Sequence, residues 1–265
     1  MLSAAFAAVQ RTVATLCPIT RRWGRIGVAA EEGKLHANVE MYRQELTVLP
    51  SGSMMTRAPI TRRYLLGSGF LATGAALLVY VVSGVSLPAA LALALTVAAA
   101  FSAAVWRGLA APGRAEALRA IRAGIAAGAA ATAAYDLSRW LIVEVAGFTF
   151  WPFDIFTLFG QALLGAEHTG PWVTLAGVAF HVVNGVGFGI AYTLWIGRRG
   201  VLAGVAWAMA LETLMVTVYP GWLGLKALDE FLQVSILGHA AYGSVLGFTA
   251  RRLLARADAV GCLHG

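Results

Sequence analysis

Five side chains able to carry charge interrupt the long apolar runs of this sequence: Asp136, Arg139, His181, Glu212 and His239. The two histidines have matching surroundings. In Gly177-Val-Ala-Phe-His181-Val-Val-Asn184-Gly185-Val-Gly-Phe-Gly189 and in Ser235-Ile-Leu-Gly-His239-Ala-Ala-Tyr242-Gly243-Ser-Val-Leu-Gly247, a small residue stands four before the histidine and glycines four and eight after it. On a helix these positions share one face. Two imidazoles and two carboxylates admit three chemistries. They can exchange protons or hold a small polar solute, as in transporters. Asp136, His181, Glu212 and His239 can ligate a metal in a helical bundle, a set suited to Zn, Fe or Mn. His181 and His239 can also serve as axial ligands of a b-type haem, the neighbouring glycines making room for the ring. The remaining alternative is a structural or assembly component in which the same groups only tie helices together. The sequence has neither the paired His-x-x-x-His or Glu-x-x-His spacing of many metalloenzymes nor a Gly-x-Ser-x-Gly nucleophile motif, which disfavours an enzyme.

Composition identifies the elements that must position these groups. Hydrophobic residues make up 59% of the 265, charged residues 12%, and the mean hydropathy is +0.73. A soluble domain of this length has too little interior to hide so much apolar surface, so an all-α integral membrane protein is expected. The formal charge of +7 does not indicate a nucleic-acid partner, because the arginines gather at the ends of apolar runs instead of forming one patch. Cys17 and Cys262 lie near the two termini, outside any metal-type spacing.

Six apolar runs, roughly 64–83, 88–107, 118–146, 173–196, 201–219 and 233–254, approach or exceed the ~20 residues of a spanning helix. Arg57, Arg62 and Arg63 precede the first run, and Arg107, Arg114, Arg119 and Arg122 surround the second connection. Arg198 and Arg199 fill the fourth, and Arg251, Arg252 and Arg256 follow the last run. The odd-numbered connections carry Asp154, Glu167, Asp229 and Glu230, with Lys226 as their one basic residue. The positive-inside rule then places both termini in the cytoplasm of a multi-pass protein, and abundant Ala, Gly and Arg suggest the inner membrane of a bacterium. The lipid bilayer is the expected partner, with a small polar solute or proton as the candidate ligand.

Residues 1–53 hold charges and no spanning run, and are expected to be a disordered cytoplasmic tail or an over-extended start before Met54-Met55. Ala4 to Leu16 suits a short interfacial helix. The six-helix domain is expected over 54–258 and a short tail over 259–265. Thr-Arg62-Arg63-Tyr-Leu-Leu-Gly imitates a twin-arginine signal, but no small-residue cleavage site separates its apolar run from the next. The third connection, about 147–172, contains Phe148, Phe150, Trp151, Phe153, Phe156, Phe159 and Trp172. It suits an interfacial or re-entrant aromatic hairpin on the outer face, either as a belt at headgroup level or as a lid.

With ~1.5 Å rise per residue and a ~30 Å hydrocarbon core, Asp136, Arg139, Glu212, His181 and His239 all fall in the outer half, within about two helical turns of one another. Gly128, Ala129, Thr132 and Ala133 are expected to share a face with Asp136, and Gly204 and Ala208 with Glu212. Such small residues mark protein-facing sides. Arg139 is three residues from Asp136, which suits an ion pair, while Trp140 beside it suits snorkelling to headgroups. Asn184 and Tyr242, one turn deeper than the histidines, suit interhelical hydrogen bonds, and Tyr219-Pro220-Gly221-Trp222 suits a helix stop. The third and fourth runs supply an acid and then the His-x3-Gly-x3-Gly face, and the fifth and sixth repeat the order, as expected of a parallel duplication.

The runs Ala-Ala-Tyr135-Asp136-Leu-Ser-Arg139-Trp140, Phe180-His181-Val-Val-Asn184-Gly185 and Gly238-His239-Ala-Ala-Tyr242-Gly243 resemble those of bacterial polytopic membrane proteins with no established activity. The resemblance covers roughly residues 118–255. It implies the six-span topology and no particular chemistry.

Overall fold

The computed structural model describes residues 57–223 and 228–261. The expectations for residues 1–53, for both cysteines and for Lys226 lie outside the described residues. The described chain is helical throughout, with no strand among these residues: α1 Arg57–Gly69, α2 Ala72–Ser83, α3 Leu87–Gly108, α4 Ala111–Ala146, α5 Asp154–Leu164, α6 Pro171–Trp195, α7 Val201–Leu223 and α8 Leu228–Gly261. By length and composition α3, α6, most of α7 and most of α8 can cross a membrane, and α1 and α2 supply a fifth crossing if taken as one span bent by 55°. These apolar helices are consistent with a multi-pass integral membrane protein.

The first apolar run is therefore not one straight helix. Its break falls after Gly67-Ser68-Gly69, where Phe70 and Leu71 donate three residues back, to the carbonyls of Gly67 and Ser68. The bend brings the Phe70 carbonyl against Gly187 of α6, where an added Cβ would lie 2.6 Å from the carbonyl oxygen. Glycine on the facing helix permits that approach.

The 36-residue α4 is the longest described helix, and its acids and arginines dilute its hydropathy. It packs between α6 and α8. Its buried stripe runs through Ala117, Ala120, Gly124, Ala127, Gly128, Ala131, Thr132, Tyr135 and Arg139, whereas Ile125, Leu137 and Leu141 on other faces are exposed. Ala129 and Ala133, expected on the packed face, are exposed as well, so the stripe is centred on Tyr135, with Asp136 at its edge. One core joins Ala127, Ala131 and Tyr135 of α4 to Tyr192 of α6, Ala208 of α7, and Tyr242, Leu246 and Ala250 of α8. A second joins α2 and α3 to Phe159 of α5 and Phe180 of α6.

Glycine stripes set how closely these helices approach. A Cβ on Gly189 would lie 2.5 Å from the Cα of Gly128, and one on Gly243 would lie 2.5 Å from the carbonyl oxygen of Gly204. Backbones in such contact gain dispersion energy along the whole crossing, which partly replaces the hydrophobic drive absent between helices in lipid.

The third connection contains a helix. The small residue four before His181 has its explanation here: Gly177 faces the Phe156 carbonyl of α5, and Gly160 faces the Val173 carbonyl of α6. Phe156 and Phe159 are buried, while Trp151 and Trp172 remain exposed. The connection is thus part aromatic packing and part exposed rings. At the far end of α7 the helix continues to Leu223, past the expected stop at Pro220. A proline in the last turns removes one backbone donor without ending the helix outright.

Candidate functional site

Asp136 and His181 meet where α4 crosses α6. Further along the two helices, Thr132 lies against Gly185 and Gly128 against Gly189, so Asp136 falls directly opposite His181. The His181 Nε2 to Asp136 Oδ2 distance is 3.1 Å, with the two side chains 15% and 25% exposed. Asp136 is acceptor-only when ionised, so His181 donates through Nε2.

The second pair, between α7 and α8, has a different register. Gly204 lies against Gly243 and Gly247 lies against Val201, which sets Glu212 opposite Ser235. Ser235 Oγ donates to Glu212 Oε2 at 3.0 Å. The longer glutamate side chain also reaches one turn further, bringing Oε2 to 2.8 Å from His239 Nδ1. That nitrogen is 3.0 Å from the Ser235 carbonyl as well. With two acceptors facing it, Nδ1 is the donor. Each acid thus meets the histidine that follows it in the sequence, directly opposite for Asp136 and one turn further along for Glu212.

Tyr135 brings the pairs together. Its ring centroid is 5.9 Å from the imidazole of His181 and 4.8 Å, edge-on, from that of His239. Arg139 lies over the same ring at 4.7 Å. Gly238, just before His239, is pressed against Arg139 and Tyr135, where any side chain would collide. Arg139 does not snorkel: it is buried, its Nη1 is 3.7 Å from Asp136 Oδ1, and Nη2 donates to the Pro152 carbonyl at 2.7 Å. Phe156 covers the other flank of His181, with ring centroids 5.2 Å apart. The connection between α4 and α6 therefore closes over the site through Pro152 and Phe156.

Tyr242 makes the expected interhelical bond, donating from its hydroxyl to the Gly185 carbonyl at 2.7 Å. Asn184 is buried, but its Oδ1 finds no donor. The same holds for Asp136 Oδ1 and Glu212 Oε1. Each carboxylate therefore has one oxygen held by an imidazole and one buried without a hydrogen-bond donor. The Asp136 oxygen has Arg139 Nη1 3.7 Å away as its nearest cation, whereas the Glu212 oxygen is left without a hydrogen-bond partner.

Among the described residues, no three His, Cys, Asp or Glu side chains come together as a metal site. The four candidate ligands fall into two separate pairs. For a haem held by His181 and His239, Tyr135 is the obstacle, because its ring packs against both imidazoles. Sequence spacing pointed to the acids and histidines, whereas Tyr135, Ser235 and Pro152 were not among the candidates. The signal for Tyr135 was its place at the centre of the Ala/Gly stripe, and that for Ser235 was its position four before His239, read only as small. Comparison with protein-family models, curated proteins and solved structures found no match for the chain.

Proposed function

We propose that the protein is a proton-coupled or small-solute transporter whose protonatable site is the pair Asp136–His181, the pair Glu212–His239, and Tyr135 between them. The observation that carries this reading is the arrangement of the carboxylates: each has one oxygen bonded to an imidazole and the other buried without a hydrogen bond, that of Asp136 lying 3.7 Å from Arg139 Nη1. A proton arriving at Glu212 removes a charge from a poorly solvated place and weakens the grip on its histidine. Protonation thereby alters a contact between two helices, which is what a transporter needs to couple proton binding to a change of shape. The break between α1 and α2 fits the same reading, since discontinuous spans recur in transporters.

In this proposal α4 is a sixth span, packed against α6 and α8 along its Ala/Gly stripe, and the basic residues put both termini in the cytoplasm of a bacterial inner membrane. The α5 connection then lies on the outer face as a re-entrant hairpin over the site.

Purified protein reconstituted in liposomes with an entrapped pH dye tests the reading. An imposed potential or solute gradient should drive proton movement that His181→Ala and Glu212→Gln abolish. Flux identical in wild type and both variants would overturn transport. A stoichiometric metal, or a Soret band in the absorption spectrum, would instead favour metal or haem binding.

A further inference from the structure

The break between α1 and α2 leaves backbone donors without acceptors in the middle of an apolar run. Ala75 is the first amide of α2 to find a carbonyl, that of Leu71. Among the described residues no carbonyl accepts from the amides of Ala72, Thr73 and Gly74, and Leu71 at the N-cap has no side-chain atom to offer them. A helix in water turns such amides to solvent or to a Ser, Thr, Asp or Asn cap. Ala72 and Thr73 are buried instead.

A second polar group at the same place has no partner. Gly187 of α6 receives the Phe70 carbonyl of the break, and Asn184, three residues earlier, brings its Oδ1 to 3.8 Å from where a Cβ on Gly74 would stand. That Cβ would also meet the Phe188 ring at 2.8 Å, so glycine is what lets the first turn of α2 lie beside Asn184. Asn184 is 8% exposed, and its side chain enters no hydrogen bond among the described residues. An amide held by no partner is free to turn and present either its oxygen or its nitrogen.

Resting on the transport reading, we propose that the first turn of α2 and the side chain of Asn184 bind the carboxylate of a small organic acid, which is then the solute carried. Unbonded amides at a helix start form the positive end of its dipole and match the oxygens of an anion. Half-helices of discontinuous spans point that end at the anionic group of a solute. Asn184 Nδ2 adds a donor from the facing helix, so one carboxylate oxygen is served by α2 and the other by α6. N–H groups do not ligate cations, and the set therefore does not suit a metal ion. His181 stands three residues before Asn184 on α6, which puts the bound anion one turn from the Asp136–His181 pair. A carboxylate that crosses with a proton moves as a neutral pair, without the cost of carrying a charge through lipid.

The test is carboxylate binding to the full chain in detergent, read by thermal unfolding and by intrinsic tryptophan fluorescence. Sodium acetate and sodium propionate are the probes, with sodium chloride as the matched salt and acetamide as the neutral isostere. The carboxylates should raise Tm to a plateau and the two controls should not; an equal effect of chloride or acetamide overturns the site. Leu71→Ser supplies a capping hydroxyl that takes up the amide of Thr73 or Gly74. It should weaken carboxylate binding about tenfold and yet unfold, without ligand, at the wild-type temperature or above. Asn184→Ala should weaken binding by about the same factor. Leu93→Ser, the same change on an exposed face of α3, should leave it unaltered, and an equal loss there overturns the site. Unchanged affinity in Leu71→Ser overturns it as well, even if Asn184→Ala fails to fold. Carboxylate binding by a protein that moves no protons in liposomes supports the site and overturns transport. Proton movement by a protein that binds no carboxylate supports transport and overturns the site.

Discussion

Glu212 reaches past the residue facing it to bind His239 one turn away, with 2.8 Å between Oε2 and Nδ1. Its side chain is 4% exposed, so this acid has little access to solvent. The effect of a substitution depends on what is left behind. Glu212→Ala leaves the His239 and Ser235 donors facing a void and should destabilise the protein by roughly 2–4 kcal/mol. Glu212→Gln retains an acceptor oxygen and should lose about 1 kcal/mol, within the range of single interhelical hydrogen bonds in membranes. Reversible unfolding in mixed micelles distinguishes the two. Equal losses would mean that the negative charge, and not the acceptor, holds α7 to α8.

Tyr135 touches both imidazoles, so substitutions there should be felt at both. Tyr135→Ala should shift the ring-nitrogen resonances of His181 and His239 together in a histidine-labelled sample. Tyr135→Phe keeps both ring-to-ring contacts and should shift the two resonances less than Tyr135→Ala does. A Tyr135→Ala spectrum in which only one histidine responds would show that the two pairs do not share this residue.

The acids and histidines were legible because buried charge is rare in apolar runs, and helical rise alone brings 136, 181, 212 and 239 to similar depth. Their pairing was not. Whether Asp136 meets His181 or His239 depends on interhelical register, which is set by backbone contacts such as Gly128 on Gly189. Tyr135 escaped notice for a related reason: an aromatic among alanines looks like core, and only the burial of Ala127, Ala131 and Tyr135 together, with Ala129 and Ala133 exposed, shows which face of α4 is packed. The stretch 147–172 was read as an interfacial or re-entrant aromatic hairpin, and the eleven-residue helix Asp154–Leu164 within it has no signature beyond its aromatic residues. The glycines that dock it, Gly160 and Gly177, carry no mark that distinguishes them from other glycines in the run. The break at Gly69 was likewise hidden inside a continuous apolar stretch.

Two glycine substitutions separate packing from propensity. Gly243→Ala places a methyl group 2.5 Å from the Gly204 carbonyl oxygen, and backbone must move to admit it. It should weaken the α7–α8 contact by about 1–3 kcal/mol, as overpacking does. Gly113→Ala meets nothing closer than a leucine methyl at 3.4 Å and lies within a helix. It should be neutral or stabilise by up to about 1 kcal/mol through lower backbone entropy in the unfolded chain. Thermal unfolding in detergent gives both numbers, and similar losses at the two sites would argue against close backbone packing at α7–α8.

The connection over the site is held at two points, and each can be released separately. Arg139 Nη2 donates to the Pro152 carbonyl at 2.7 Å, and Glu230 at the start of α8 accepts from the backbone amides of Thr149 and Phe150 at 2.8 and 2.7 Å. The first bond is buried beside Asp136, whereas the second joins the connection to the end of a helix. Lysine at 139 retains the charge but loses the planar group that spans Tyr135, Asp136 and Pro152 at once, so Arg139→Lys should raise amide hydrogen exchange in 150–164. Glu230→Gln keeps one acceptor oxygen and should affect only the amides of 149 and 150. If the connection serves as a gate, Arg139→Lys should also change the rate at which a water-soluble histidine reagent reaches His181, while Glu230→Gln should not. Faster exchange without any change at His181 would leave the connection as a brace and remove it from the path to the site.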